Sequence, residues 1–312
     1  MSKAHLLSGE IESRQVAMQV RRSLRTEHQS HLMESVIAVE QPERVRADQD
    51  YSKLGTIREL WDYRELFYFL AWRDMKVRYK QTVLGVLWAI IQPVFTMVIF
   101  TVVFGHMANI SSEGVPRPIF YFSALLPWIY FSSTLNSAGL SLVSNSGLLT
   151  KIYFPRIILP AAAALGGLVD FLIGSVLLVG FIIYYDLRVG WNLLLWPALL
   201  VPLVLLAFSL GSFLAALNVK YRDVKYAIPF GIQLLLFMTP IIYPSSVFPE
   251  RFQWLLALNP LSGLIEAFRY ALVPSYKVHW DVLALSLAVT AGLFVFAMVY
   301  FKRTEKAFAD IV

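Results

Sequence analysis

The chain has 312 residues, 57% hydrophobic and only 15% charged, with a mean hydropathy of +0.60 and a net charge of +6. Soluble domains carry about 25% charged residues, and the charge missing here is concentrated in long blank stretches, which excludes an ordinary soluble domain and indicates an integral membrane protein. The lack of cysteine excludes a disulfide framework and a thiolate metal site; the basic residues flank apolar stretches, where they set topology and meet anionic lipid rather than nucleic acid.

Residues 1–56 are polar and mixed in charge, with Arg14, Arg21, Arg22 and Arg25 among Glu10, Glu12, Glu27 and Glu34. They are expected to form a flexible cytosolic extension, with Gln41–Ser52 as a linker. Met1 to Ser52 contains no apolar core of signal-peptide length. Residues 57–83 read as an amphipathic helix at the membrane surface. At about 100° per residue, Arg58, Asp62, Glu65, Arg73, Lys76 and Lys80 share one stripe, with Phe69 intruding, and Ile57, Leu60, Trp61, Phe67, Leu70, Ala71 and Met75 share the other. The apolar stripe is expected to dip into the membrane.

A transmembrane domain then occupies residues 84–301, with the tail at 302–312. The first span, Leu84–Met107, contains no Asp, Glu, Lys or Arg and is long enough to cross the hydrocarbon, which takes roughly 20 apolar residues. Pro93 interrupts it. Further spans are placed at Ile119–Leu142, Ile157–Tyr185, Trp191–Leu217, Ala227–Tyr243 and Val282–Phe301. The stretch Arg73–Lys80 before the first span, the loops on that same side and the tail after the sixth span carry twelve lysines and arginines, the loops on the other side five. Positive-inside bias therefore places both termini in the cytoplasm. Between the fifth and sixth spans lie two shorter apolar pieces, Phe252–Leu258 and Leu261–Val273, split by Asn259-Pro260. Their length marks a helical hairpin re-entering from the outer face. The expected fold is an all-α membrane protein of six spans.

No G-x-x-x-x-G-K-[ST] phosphate loop occurs, so the chain is not expected to hydrolyse ATP itself. The five histidines show no metal-ligand spacing, no G-x-S-x-G elbow is present, and no carboxylates pair within one turn of an apolar span. Asp170 is the one acid well inside a span. It reads either as a polar group lining a pathway or as a neutral or paired residue at a helix contact beside Gly166 and Gly167. The aromatic residues of the first two spans serve as interfacial belts or, where they share a cavity, as stacking platforms for sugar rings. The cytoplasmic loop LLTKIYFPR, Leu148–Arg156, is either a connector or a short element that docks on a soluble partner. Arg73, Arg78 and Lys80 at the first span's entrance either anchor topology or recruit a phosphate headgroup. Glu266 and Arg269 read as an i,i+3 helix contact.

The order of motifs is recognisable. RDMKVRYK at 73–80, LGVLWAIIQP from Leu84, LLTKIYFPRIILP from Leu148, NVKYRDVKYAIPFGIQLLLFMTPIIYP from Asn218, LNPLSGLIEAFRYAL from Leu258 and the tail YFKRTEKAFADIV follow one another. Over residues 57–312 the chain resembles the permease subunit of type 2 ABC exporters of polysaccharide and polyol phosphate, the family of O-antigen, capsule and teichoic acid exporters. The resemblance implies a half-transporter in the bacterial inner membrane. Two copies form the pore, and a dimer of a separate ATPase subunit binds ATP and Mg. No cofactor is expected in this chain. It further implies that Lys151, Tyr153, Phe154, Pro155 and Arg156 couple to that ATPase, as does the interface helix. Trp88, Phe95, Tyr121, Trp128, Tyr130 and Phe237 would line the polymer path, and the hairpin bearing Glu266 and Arg269 would close the outer side. The implied substrate is a glycan on a polyprenyl diphosphate carrier, which suits a basic entrance at Arg73, Arg78 and Lys80. The other readings are a permease of the same fold for drugs or small lipids, and a polytopic glycan-processing enzyme.

Overall fold

A computed structural model describes residues 62–80, 85–149, 154–187, 189–247, 256, 258–274 and 276–305, all within the unit Ile57–Val312. Among the described residues the chain is helical, without strands. Nine helices are labelled here: α1 Arg64–Lys80, α2 Trp88–Phe100, α3 Arg117–Ser144, α4 Ile158–Gly166, α5 Leu168–Tyr184, α6 Leu195–Lys220, α7 Val224–Met238, α8 Pro260–Leu272 and α9 Trp280–Glu305. A single helical turn, Ser146–Leu149, follows α3.

Four helical stretches are long and apolar enough to cross a membrane: Gly85–Met107, Ile158–Tyr184, Trp191–Lys220 and Trp280–Glu305. They coincide with the first, third, fourth and sixth expected spans. Pro93 does not end the first, whose last seven residues, Thr101–Met107, continue as π-helix. Prolines also lie inside α3, α6 and α7, as spans tolerate when neighbours re-satisfy the freed backbone groups. The second of these stretches changes helix at Gly167, the residue between α4 and α5.

The remaining two expected spans differ from the others. α3 is the axis of the bundle, packed most extensively against α6 and touching α2, α4, α5, α7 and α8. Because protein surrounds it, it can carry Ser123, Thr134 and Ser141 buried among Phe120, Phe122 and Phe131, and this polar content keeps its hydropathy below that of the four. Close approach to α6 relies on Gly211, where a Cβ would come within 2.6 Å of Ala138 Cβ; small residues permit such backbone proximity. The fifth expected span is a shorter apolar helix, 15 residues, after which the chain turns at Thr239–Tyr243.

Two cores result. The larger joins α3, α5, α6 and α8 through residues such as Phe120, Leu125, Phe171, Trp196, Leu206 and Phe268. The smaller gathers Leu70, Ala71, Leu142, Phe154, Ile158, Ala215 and Phe301 where α1, α4 and the ends of α6 and α9 meet. α1 complements its own dipole, with Glu65 in the first turn and Arg78 and Lys80 in the last. Part of its expected apolar stripe faces protein. Leu70 and Ala71 are buried as α1 packs on α4, while Tyr68, Phe69, Trp72 and Val77 form the exposed apolar face. The helix therefore has apolar residues on two sides, because one side is consumed by the bundle. Ile57–Trp61 lies outside the described residues.

Asn259-Pro260, expected as a break between two pieces, is the start of α8. The Asn259 side chain accepts from the Leu261 N–H at 3.1 Å, and proline occupies the first turn, where its missing N–H costs nothing. The amide of Asn259 also donates to Thr239 Oγ1 at 2.8 Å, tying α8 to the end of α7. α8 is buried along nearly its whole length against α9, α3 and α6. The first hairpin arm, Phe252–Leu258, falls almost entirely outside the described residues.

Candidate functional site: an aromatic and polar cavity

The ends of α1 and α2 meet α3, α5 and α7 around a cavity of about 740 Å³, within the range of roughly 300–1,000 Å³ usual for ligand sites. Its walls alternate rings and hydrogen-bonding groups. Tyr79, Trp88, Trp128 and Tyr130 provide the rings; Gln92, Thr96, Ser132, Ser133 and Asn136 provide the polar groups; Pro93, Pro229 and Ile232 complete the lining. Successive turns of α2 and α3 produce this mixture, since residues three and four apart share a face: Trp88, Gln92 and Thr96 on one helix, Trp128, Ser132 and Asn136 on the other.

One charged pair sits in the wall. The Arg78 guanidinium donates to Asp170 Oδ2 and the Tyr79 hydroxyl donates to Asp170 Oδ1. Both readings of Asp170 thus meet in one residue, which is paired at a helix contact and also lines the cavity. Burial, followed by the hydrogen bond from its hydroxyl to Asp170 and the charge of that carboxylate, holds the Tyr79 phenol above its ordinary range, while Arg78 opposes the shift.

The structure brings together only some of the expected site residues. Trp88, Trp128, Tyr130 and Arg78 line the cavity, although the Tyr130 hydroxyl is engaged with the Ala164 carbonyl at 3.1 Å. Tyr121 does not line it. Its ring is buried in the larger core, edge-on to Phe100 and Phe120. Phe95 and Phe237 point outward and are exposed, as is Lys80. Arg73 leaves the entrance to bond Asp74 and the Asn145 side chain, the latter at 2.9 Å. Sequence reasoning missed Gln92 and Asn136, whose signal was their position one turn from Trp88 and two turns from Trp128.

Lys151 and Tyr153 lie outside the described residues. Phe154 is buried in the smaller core. Arg156 is fastened to the end of α9: its N–H donates to Glu305 Oε1 and its guanidinium to the Glu305 carbonyl, both at 3.0 Å. Pro155, between them, is half-buried. Glu266 and Arg269 do not pair with each other as an i,i+3 contact. Arg269 donates to the Ile241 carbonyl at 2.8 Å and lies over the Phe120 ring, whereas Glu266 faces His279 Nδ1 at 3.5 Å. Each finds a partner on another segment because α8 is enclosed on all sides, leaving neither side chain a route to solvent along its own helix. Among the described residues no group of His, Asp and Glu could hold a metal ion.

The profile of the ABC-2 type transporter family matches residues 65–273. The chain is 28% identical over 259 residues to the O-antigen export system permease protein RfbA of Myxococcus xanthus, covering 82% of this chain and 98% of that one. It is 27% identical over 244 residues to the protein of the same name from Klebsiella pneumoniae, covering 77% of this chain and 92% of that one. The polysialic acid transport protein KpsM of Escherichia coli is 25% identical over 248 residues, with 75% of this chain and 91% of that one covered.

Proposed function

The chain belongs to the ABC-2 type transporter family, and from that premise we propose that it is the membrane permease of an ATP-driven exporter for a polysaccharide carried on a polyprenyl diphosphate lipid. The observation that carries the reading is the cavity wall itself. Trp88 and Trp128 present flat rings for sugar faces beside Gln92, Asn136 and the serines for sugar hydroxyls, with the Arg78 guanidinium at the same site. Stacking combined with a few directed hydrogen bonds holds a carbohydrate without fixing its register. A chain that must slide needs that property. The names of the relatives agree with this choice of cargo.

The cavity belongs to one protomer, and the helices that border it, α2 and α7, leave large apolar residues exposed, among them Phe95, Val98, Ile99, Phe230, Leu234 and Phe237. A second copy across these faces would complete an enclosed path and give Phe95 and Phe237 their place on it. α3 completes the crossing count with its 28 residues, about 42 Å at roughly 1.5 Å per residue. α7 is the fifth crossing and runs on through the turn at Thr239–Tyr243. α8 is then the inner arm of a hairpin on the outer face, and both termini are cytoplasmic in the bacterial inner membrane.

The energy comes from a separate ATP-binding cassette dimer that holds ATP and Mg. α1, the loop before α4 and the end of α9 share the smaller core, so a push on one is felt by all three. Transmission requires that the ATPase contact this end differently in its two states.

Trp88→Ala and Trp128→Ala test the proposal in cells lacking the native copy. Surface polysaccharide is expected to fall in both while membrane levels of the protein hold, and Trp128→Phe retains most export. Full export in Trp88→Ala and Trp128→Ala together would contradict the pathway.

A further inference from the structure

We propose that the Arg78–Asp170 pair is an exchangeable latch: an incoming diphosphate takes Arg78 from Asp170, and the exchange removes one of the two side-chain ties between the end of α1 and α5. The inference rests on the cargo reading above and adds its regulation. Arg78 is the one cation, and Asp170 the one acid, lining the cavity among the described residues. An anionic headgroup in this cavity therefore has a single cationic partner, which is already engaged. Binding and release of Asp170 become the same event.

Three features suit the pair to exchange. Both side chains are partly accessible from the cavity, at 33% and 24% relative exposure, so a ligand can reach the pair without unfolding anything. Each charge also has a second source of stabilisation at home. Arg78 lies in the last turn of α1 and Asp170 in the first turn of α5, where each complements its own helix dipole; Asp170 in addition keeps the Tyr79 hydroxyl. Finally, a diphosphate offers guanidinium more acceptor oxygens and more charge than one carboxylate, and arginine matches phosphate in a two-pronged geometry.

The mechanical consequence follows from the packing. α1 lies along α4, and its last turn reaches α5 through the side chains of Arg78 and Tyr79. Losing the Arg78 contact loosens the end of α1. Headgroup arrival is thereby reported to the helix that the proposed function sets against the ATPase.

The sign of one substitution separates a latch from a mere support. If Asp170 only aims Arg78, removing its charge weakens anion binding; if it competes for Arg78, removal strengthens it. The full-length chain in nanodiscs is titrated with inorganic pyrophosphate and, separately, with a polyprenyl diphosphate, counting only binding that Arg78→Gln abolishes. Asp170→Asn is expected to lower the half-saturating concentration of both probes about fivefold, the scale of a partly exposed ion pair. Asp170→Glu, which restores the competitor, should bind as the wild type does, and Asp170→Ser serves if Asp170→Asn folds poorly. Binding equal to or weaker than wild type in the charge-removed variants overturns the latch. A shift for pyrophosphate without one for the lipid upholds the latch and overturns the lipid-linked cargo; no Arg78-dependent binding of either probe overturns the latch.

Discussion

The guanidinium of Arg269 lies 3.8 Å from the centre of the Phe120 ring, joining α8 to the N-terminal end of the central helix. The same group donates to the Ile241 carbonyl at 2.8 Å and to the Phe120 carbonyl at 3.4 Å. Arg269 is 2% exposed, so its charge is met by a ring face and backbone oxygens instead of water. Three segments thus converge on one side chain.

Arg269→Ala would leave those carbonyls without their donor and open a void beneath Phe120. The expected loss of stability is on the order of 2–5 kcal/mol, read as a lower melting temperature of the detergent-solubilised protein. Arg269→Lys, which keeps charge but not the planar fork, should fall between.

Gly263 governs how closely α8 meets α9. A Cβ there would stand 2.9 Å from the Val282 carbonyl oxygen and 3.0 Å from Leu283 Cα, both backbone atoms that cannot step aside. Gly263→Ala should cost about 1–3 kcal/mol. Gly180 has nothing within 4 Å of its Cβ position, so Gly180→Ala should leave the melting temperature unchanged or slightly higher. Equal tolerance at both sites would refute the close packing of α8 on α9.

Tyr79 makes stability depend on alkaline pH. Its phenol titrates above its ordinary value of 10.0 in the folded chain, so the folded state holds this proton more tightly than the unfolded state. The contribution is complete below about pH 10 and is lost as pH rises from there toward the folded value. Tyr79→Phe should flatten part of the fall in melting temperature above about pH 10. The remainder belongs partly to Tyr276, which burial also raises. An unchanged profile in Tyr79→Phe would show that Tyr79 contributes none of it.

Much of this architecture was legible before any coordinates. Runs with little or no charge located the four helical stretches long and apolar enough to cross a membrane, because composition and length decide that property. The face of α1 was not legible: Leu70 and Tyr68 are both apolar, and only contact with α4 determines which is buried. Nor was the cavity membership of Trp88 and Trp128 separable from the core position of Tyr121, since aromatic residues three and four apart look alike until helices are assembled. Asp170 stood out as a lone acid, but its partners lie 92 and 91 residues away, a pairing that no local pattern encodes.

Arg156 and Glu305 form the second long-range tie, between the loop preceding α4 and the end of α9. Arg156→Ala removes the bond to the Glu305 carbonyl and Glu305→Ala the bond from the Arg156 backbone N–H, so each should reduce stability by about 0.5–2 kcal/mol, and the double variant should lose close to the sum. Such a cycle, followed by thermal unfolding, measures the tie directly. A double variant far from the sum would mean that the two bonds depend on one another.

The central claim is that this chain moves a glycan and draws its power from a partner. Proteoliposomes containing the chain and its co-purified ATP-binding subunit, supplied with polyprenyl diphosphate-linked glycan outside, provide the direct measurement. We expect glycan to become protected in the lumen only when both subunits, ATP and Mg are present. Protection by this chain alone, or steady ATP hydrolysis by the pair with no glycan transferred, would contradict the account.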